Sequence, residues 1–258
     1  MSKEYKKFQR QGTAWIVFDT TNKPFDNAKV RQALTLATNT KQINEVVLKN
    51  AFFNVESIVA PGVPGQNKAN YLGYDVARAK TLLAEAGFPD GKGWPANIKL
   101  TLNSDNGDEK LIAEAVQGMW KTALGIDVVL DPLEGKSFDA FQQSRRDQPF
   151  HMYIQGWGSD YEDPNNWYNL LFTTKSDLYF NHWSNAEFDK LAAAGLSEND
   201  PAKRTAIYEQ ADKILNQLAV YLPVYHWARS TVIKPNVQLV RFRVLGRVQG
   251  QYARVNPQ

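Results

Sequence analysis

Apolar positions in this chain fall into two periods, two and three-to-four, and the periods take turns along its length. Residues 12–19 (Gly-Thr-Ala-Trp-Ile-Val-Phe-Asp) are β-branched and aromatic after a glycine and predict a strand. A turn follows at 22–26. Asp26 or Asn27 then caps a helix whose buried face is Val30, Ala33, Leu34 and Ala37. A second helix starts at Thr40, with Ile43, Val46, Val47 and Leu48 expected inside. After a Pro- and Gly-rich loop at 61–65, Asp75 caps a helix over 76–86, and Gly87 stops it in the left-handed conformation. Residues 98–102 and 126–130 read as strands on either side of a helix over 108–124 that ends at Gly125. Residues 136–146 read as helix and 150–155 as strand. Asp200-Pro201 caps and opens a helix running to about 218, and 222–227 and 230–234 are expected to pair as strands.

Strands alternating with helices over short connections predict an α/β fold, a layered mixed sheet flanked by helices, and argue against a sandwich, barrel or bundle. In open α/β sheets ligands collect outside the carboxyl ends of the strands. The connection leaving the strand at 150–155 is therefore the first place to look for a site.

Composition narrows the chemistry. The 258 residues carry 30 Lys and Arg against 27 Asp and Glu, a balance that gives no reason to expect nucleic acid as a partner. A basic group near the start (Lys3, Lys6, Lys7, Arg10) reads as a solvated segment. Arg241, Arg243, Arg247 and Arg254, interleaved with apolar residues, read as strand with one wet face. There is no cysteine, so disulfides, thiolate metal sites and a Cys nucleophile are excluded. The three histidines (His151, His182, His226) have no metal-ligand spacing, and no cofactor is implied. His182 is expected at the surface and His226 as a hydrogen-bonded core residue. No apolar run is long enough to cross a membrane, and residues 1–6 have no apolar core of the kind a secretion signal needs.

The segment after that strand is Gly156-Trp-Gly-Ser-Asp160-Tyr-Glu-Asp-Pro-Asn-Asn-Trp167. Pro164 can open a helix with Asp163 as its cap, and Glu162 is expected to face solvent. Asp160 has no such local duty. A carboxylate partly shielded by Trp157 would pair strongly with an ammonium group, because the effective dielectric there is low; a plain turn role is the alternative. Acid–base catalysis of the glycosidase kind usually draws its carboxylates from separate segments. A calcium loop would need a Gly and a distal Glu that this spacing lacks.

Five stretches carry a family resemblance. They are Phe25-Asp-Asn-Ala-Lys-Val-Arg-Gln-Ala-Leu34, Tyr74-Asp-Val-Ala-Arg-Ala-Lys-Thr-Leu-Leu-Ala-Glu-Ala-Gly87, the Gly156-Trp157/Asp160-Tyr161/Asp163-Pro164 loop, Arg204-Thr-Ala-Ile-Tyr208 and Leu222-Pro-Val-Tyr225. In that order they resemble the family 5 extracellular solute-binding proteins, the oligopeptide and dipeptide binders of ABC importers. The resemblance implies a lobe of the periplasmic-binding-protein-like type II kind, working outside the cytoplasmic membrane. It implies capture of a peptide or other small solute between two lobes and delivery to a membrane permease. Family chains are longer, so this chain corresponds to the C-terminal lobe. Residues 1–234 would form the lobe, and 235–258 would cross back towards an N-terminal lobe. Leu239, Val240, Phe242 and Leu245 of that segment would then need a surface to pack on, and self-association through the uncovered face is one outcome.

The resemblance places Asp160 where peptide binders meet the ligand's α-ammonium. It puts Trp157, Gly158 and Ser159 beside Asp160, and Arg145 near the peptide carboxylate. Trp183 is a further candidate for the cleft wall. Each also has a plain structural reading: a core tryptophan for Trp157 and Trp183, a solvated helix residue for Arg145. The resemblance implies a binding protein and no enzyme. The competing readings are a carboxylate-based hydrolase pairing Asp160 with a distant acid, a lobe for sugars or other non-peptide ligands, and an interaction domain. For the hydrolase, the Gly-x-Ser-x-Gly and His-Glu-x-x-His motifs are absent.

Overall fold

In the computed structural model the described residues are 4–256 except 177, 179, 180, 239, 244, 246 and 247, with the side chains of 241, 242 and 248 also left aside. Lys3, Leu239, Arg247 and the side chains of Arg241 and Phe242, singled out above, lie outside the described set. A six-stranded mixed sheet organises the lobe, in the order β2-β6-β1-β5-β3-β4. Its strands are β1 (Tyr5–Phe18), β2 (Phe53–Asn54), β3 (Lys99–Asn103), β4 (Val129–Leu133), β5 (Met152–Gly158) and β6 (Tyr221–Val232). β3 runs parallel to β4 and β5, whereas β1 is antiparallel to β5 and β6.

The period of two in β1 divides the core. Ala14, Ile16 and Phe18 enter the cluster beneath α1 (Ala28–Leu36), α3 (Val76–Glu85) and α4 (Gly107–Leu124). Trp15 and Val17 enter the opposite one, beneath α6 (Tyr168–Phe172), α7 (Ala186–Ser197) and α8 (Pro201–Gln217). α5 (Gly135–Ser144) joins that second face through Phe138.

The helix ends follow their caps. Asn27, Asp75 and Asp200 each accept a first-turn backbone N–H, and Gly87 and Gly125 take positive φ at helix ends. Of the two candidates for the first cap, Asn27 holds the position.

Several elements differ from these expectations. The fourth strand begins at Val129, three residues after the apolar run starts, because Ile126 and Val128 fill the core on the way into it. Residues 222–227 and 230–232 are not two strands but stretches of one, β6, which pairs with β1 almost end to end across two irregularities, and 233–234 lie beyond its end. The helix from Thr40 is a single short turn, α2 (Thr40–Gln42), continued by a π-turn (Ile43–Val47). The wider turn rotates Asn44 inward and leaves Val46 68% exposed. Asn44 bonds Phe52 O, Phe52 N–H and Asn54 there. α7, capped by Asn185, has no counterpart in the sequence reading.

His182, expected at the surface, is instead half-buried. Its Nδ1 lies 3.0 Å from Oδ1 of fully buried Asp19, and its Nε2 lies 3.1 Å from Arg146 O. His226 is a satisfied core residue. It is fully buried, its Nε2 accepts Glu56 N–H (3.1 Å), and its Nδ1 therefore donates to Thr13 Oγ1 (2.9 Å).

The segment from 235 pairs with itself. β7 (Val237–Gln238) joins β10 (Arg254–Val255), and β8 (Arg241–Phe242) joins β9 (Val248–Gln249). Tyr252 and Val255 remain 45% and 70% exposed.

Candidate functional site

The carboxyl ends of β3 and β5 point to the same edge of the sheet, as their parallel register requires. β1 reaches that edge with its first half, since Gly12 lies opposite Gly158. An open cavity of about 390 Å³ sits there, lined among others by Arg10, Phe52, Asn106, Glu109, Tyr225 and Trp227.

Glycine makes this edge. A Cβ on Gly12, Gly156 or Gly158 would lie 2.4, 3.0 or 2.5 Å from the Trp227 indole. Three side-chain-free positions on neighbouring strands thus form a bed for one large ring. The Arg10 guanidinium lies over that indole, 5.0 Å from its centroid. Phe52 stacks on Tyr225 at 3.9 Å. Glu109 is held by Asn103 N–H (2.8 Å) and Asn106 Nδ2 (3.0 Å) at the start of α4. Burial raises its pKa, and these two donors oppose the rise.

β5 leads from this edge into the Trp157–Trp167 loop. Ser159 N–H donates to Gln11 O at 2.8 Å, which docks the loop on β1. The two indoles are spent inside the loop: Trp157 Nε1 donates to Asn166 Oδ1 (3.0 Å) and Trp167 Nε1 to Ser159 Oγ (2.6 Å). Asp163 caps a short turn (Pro164–Asn166) by accepting Asn165 N–H at 2.9 Å. It also receives both arms of Arg204, at 2.7 and 2.9 Å. Burial opposes ionisation of Asp163, but the Arg204 fork and the Asn165 N–H outweigh it and hold the carboxyl below its ordinary range.

Asp160 differs. Its backbone N–H donates to Asn166 Oδ1 (3.2 Å), so the residue is fixed. Its side chain is exposed, and among the described residues the carboxylate accepts no hydrogen bond and meets no cation. Glu162 is also exposed.

The structure therefore brings Trp157, Gly158, Ser159 and Asp160 together at one sheet edge. Arg145 lies elsewhere. It closes α5, donates from Nε to Tyr153 Oη (2.8 Å) and from Nη1 to Gln142 O (2.8 Å), and is half-buried. Tyr153 itself is pushed above its ordinary pKa by burial. From Tyr153 to Gly158, β5 covers roughly 17 Å at a strand's rise per residue. Trp183 is buried in the second cluster, edge-on to Phe188 at 5.0 Å. Arg10, Trp227 and Asn166 were not singled out as site residues from the sequence. The signal for Trp227 was the Gly156-x-Gly158 spacing inside a strand, which leaves one face open for a large neighbour.

The family model described as bacterial extracellular solute-binding proteins, family 5 Middle, matches residues 1–178. The periplasmic murein peptide-binding protein MppA of Escherichia coli is 32% identical over 230 residues, 87% of this chain and 42% of that protein. Heme-binding protein A of Haemophilus influenzae is 30% identical over 228 residues, 87% of this chain and 41% of that protein. The crystal structure of a periplasmic oligopeptide-binding protein from Borrelia burgdorferi superposes with a TM-score of 0.83 at 25% identity, covering 99% of this chain and 50% of that one. This chain spans less than half the length of both curated relatives. By the family match and the shared fold, the chain belongs to the family 5 bacterial extracellular solute-binding proteins.

Proposed function

We propose that this chain is the C-terminal lobe of the solute-binding component of an ABC importer, and that its site takes peptides. The solute would be captured between two lobes by domain closure and handed to a membrane permease, outside the cytoplasmic membrane. No helix among the described residues is long and apolar enough to cross a membrane. One observation carries the reading: Asp160 presents an unpartnered carboxylate at the carboxyl end of β5. Around it Trp157, Ser159, Asp163, Asn166 and Trp167 are all committed to holding the loop. An uncompensated carboxylate on a held backbone, at the ligand-binding edge of an α/β sheet, suits the α-ammonium of a peptide. The role is binding: Asp160 presents its charge while the Ser159 hydroxyl and the Asp163 carboxylate beside it are committed to holding the loop. A non-peptide solute is the second reading, favoured by the aromatic wall of Phe52, Tyr225 and Trp227.

Calorimetry with pentapeptides carrying free or acetylated N-termini tests this. Asp160→Asn should weaken the free-amino peptide by about 2–5 kcal/mol, the usual cost of removing one side of a desolvated charge pair. The acetylated peptide should bind the wild type poorly and lose little more. Equal losses for both peptides would refute the assignment.

A further inference from the structure

Trp157 and Asp160 share a support. Asn166 is fully buried, and its Oδ1 alone accepts both the Trp157 indole N–H (3.0 Å) and the Asp160 backbone N–H (3.2 Å). Both partners can only donate, so the orientation of the amide is fixed by chemistry. Its Nδ2 is then buried without a partner. A buried amide satisfied at one end only is a net cost to the fold, since the unmade hydrogen bond is not recovered. Packing alone would favour an apolar residue at this position. The oxygen, by contrast, sets two groups at once.

Asn166 is itself held from behind. Its N–H donates to Asp163 O, and Asp163 is gripped by Arg204. A line of contacts runs from α8 through the Pro164–Asn166 turn to the tip of β5 and ends on the carboxylate-bearing residue.

We propose that Asn166 is the positioning residue of the solute site, one oxygen that fixes both the Trp157 ring and the Asp160 carboxylate where a ligand's ammonium group meets them. This rests on the peptide reading of Asp160 for its purpose, but not for its geometry.

Two substitutions separate positioning from mere packing. Asn166→Leu keeps the volume and removes the acceptor. Asn166→Asp keeps the acceptor and puts a second oxygen where the unpartnered nitrogen was; burial would hold that carboxyl largely protonated, so the acceptor is kept without a full charge. The first readout needs no ligand: hydrogen exchange of the Trp157 indole N–H and the Asp160 amide, followed by nitrogen-15 NMR. N166L should speed exchange at both sites roughly tenfold or more, the scale of one lost hydrogen bond, and N166D should restore protection at both. The second readout is the affinity of the free-amino pentapeptide relative to its acetylated form. N166L should cut that ratio roughly tenfold, and N166D should preserve it.

Unchanged protection in N166L would overturn the proposal. So would loss of protection at both sites in N166D, or a N166L chain that fails to fold while N166D folds, which would make Asn166 part of the scaffold. If the wild type binds no peptide, the peptide reading fails, and the two exchange signals still decide the role of Asn166.

Discussion

Asp212 is a buried carboxylate that meets no cation among the described residues. Its Oδ1 accepts Ser57 Oγ–H (3.2 Å) and Tyr168 Oη–H (3.3 Å), and its Oδ2 accepts Asn67 N–H (3.2 Å) and Asn70 Nδ2 (3.0 Å). Burial raises its pKa to about 6, and these four neutral donors only moderate the rise. The folded chain thus holds this proton more tightly than the unfolded chain, whose ordinary value is 3.8. The resulting stabilisation is fully present below pH 3.8 and is lost as pH rises through about 6. At about 1.36 kcal/mol per pH unit, the loss is on the order of 3 kcal/mol. Asp212→Asn removes the titration. Its carbonyl can serve Asn67 and Asn70, and its amide can donate to the Ser57 and Tyr168 oxygens once those hydroxyls turn. The measurement is urea unfolding of both proteins between pH 4 and pH 7, with stability compared at each pH. Because part of the effect lies below pH 4, the mutant should gain roughly 2–2.5 kcal/mol on the wild type across that window. Groups that titrate alike in both proteins cancel in the difference, so a pH-independent difference would refute the reasoning.

Two further outcomes follow from the geometry. Burial drives the His226 pKa down to about 3, so its contribution to stability is present above pH 6.5 and is lost as pH falls through about 3; NMR should show no His226 titration between pH 5 and 8, and a midpoint near 6.5 would contradict the tautomer assigned above. Gly158→Ala puts a Cβ 2.5 Å from the Trp227 indole and should cost about 1–3 kcal/mol with a red-shifted tryptophan emission. Gly118→Ala in α4, where nothing lies within 4 Å, should instead stabilise by about 0.5–1 kcal/mol; equal behaviour of the two alanines would remove the case for a glycine bed.

The alternation of elements was legible because each helix carries its own cap and each central strand its own period. Asp75 and Gly87 bound α3, Asp200 and Pro201 open α8, and these signals are local. Where the sequence misled, a tertiary partner had decided. The apolar run at 126–130 looks like a strand, but Ile126 and Val128 are consumed by the core before pairing with β3 starts at Val129. Val46 has the character of a buried residue, yet a polar neighbour, Asn44, takes its place because it can bond the Phe52 backbone. β6 reads as two strands because its alternation is interrupted where it crosses an irregularity against β1. At the site, the loop bearing Asp160 could be found from its glycines and its unexplained carboxylate. The Gly156-x-Gly158 spacing signalled a large neighbour but not which one, and Arg10 left no signal, because Trp227 and Arg10 arrive from strands distant in sequence and meet only across the sheet.

The stretches that carry the family resemblance act mostly on the scaffold. Arg31 is buried and donates to Phe25 O, Leu218 O and Ala219 O, which ties α1 to the end of α8. Burial lowers its pKa to about 10, still well above neutrality. Arg204 grips Asp163 and also bonds Gly195 O. Tyr208 fills the space left by two glycines, since a Cβ on Gly65 or Gly195 would lie 2.3 or 2.7 Å from it. These contacts hold the scaffold from which the Trp157–Trp167 loop leaves the sheet. The open cavity at this sheet edge is lined by Gly156 and Tyr225 from those stretches, but also by Arg10, Phe52, Glu109 and Trp227, which lie outside every one of them. One scaffold that can carry different sites is consistent with one relative being named for a murein peptide and another for heme.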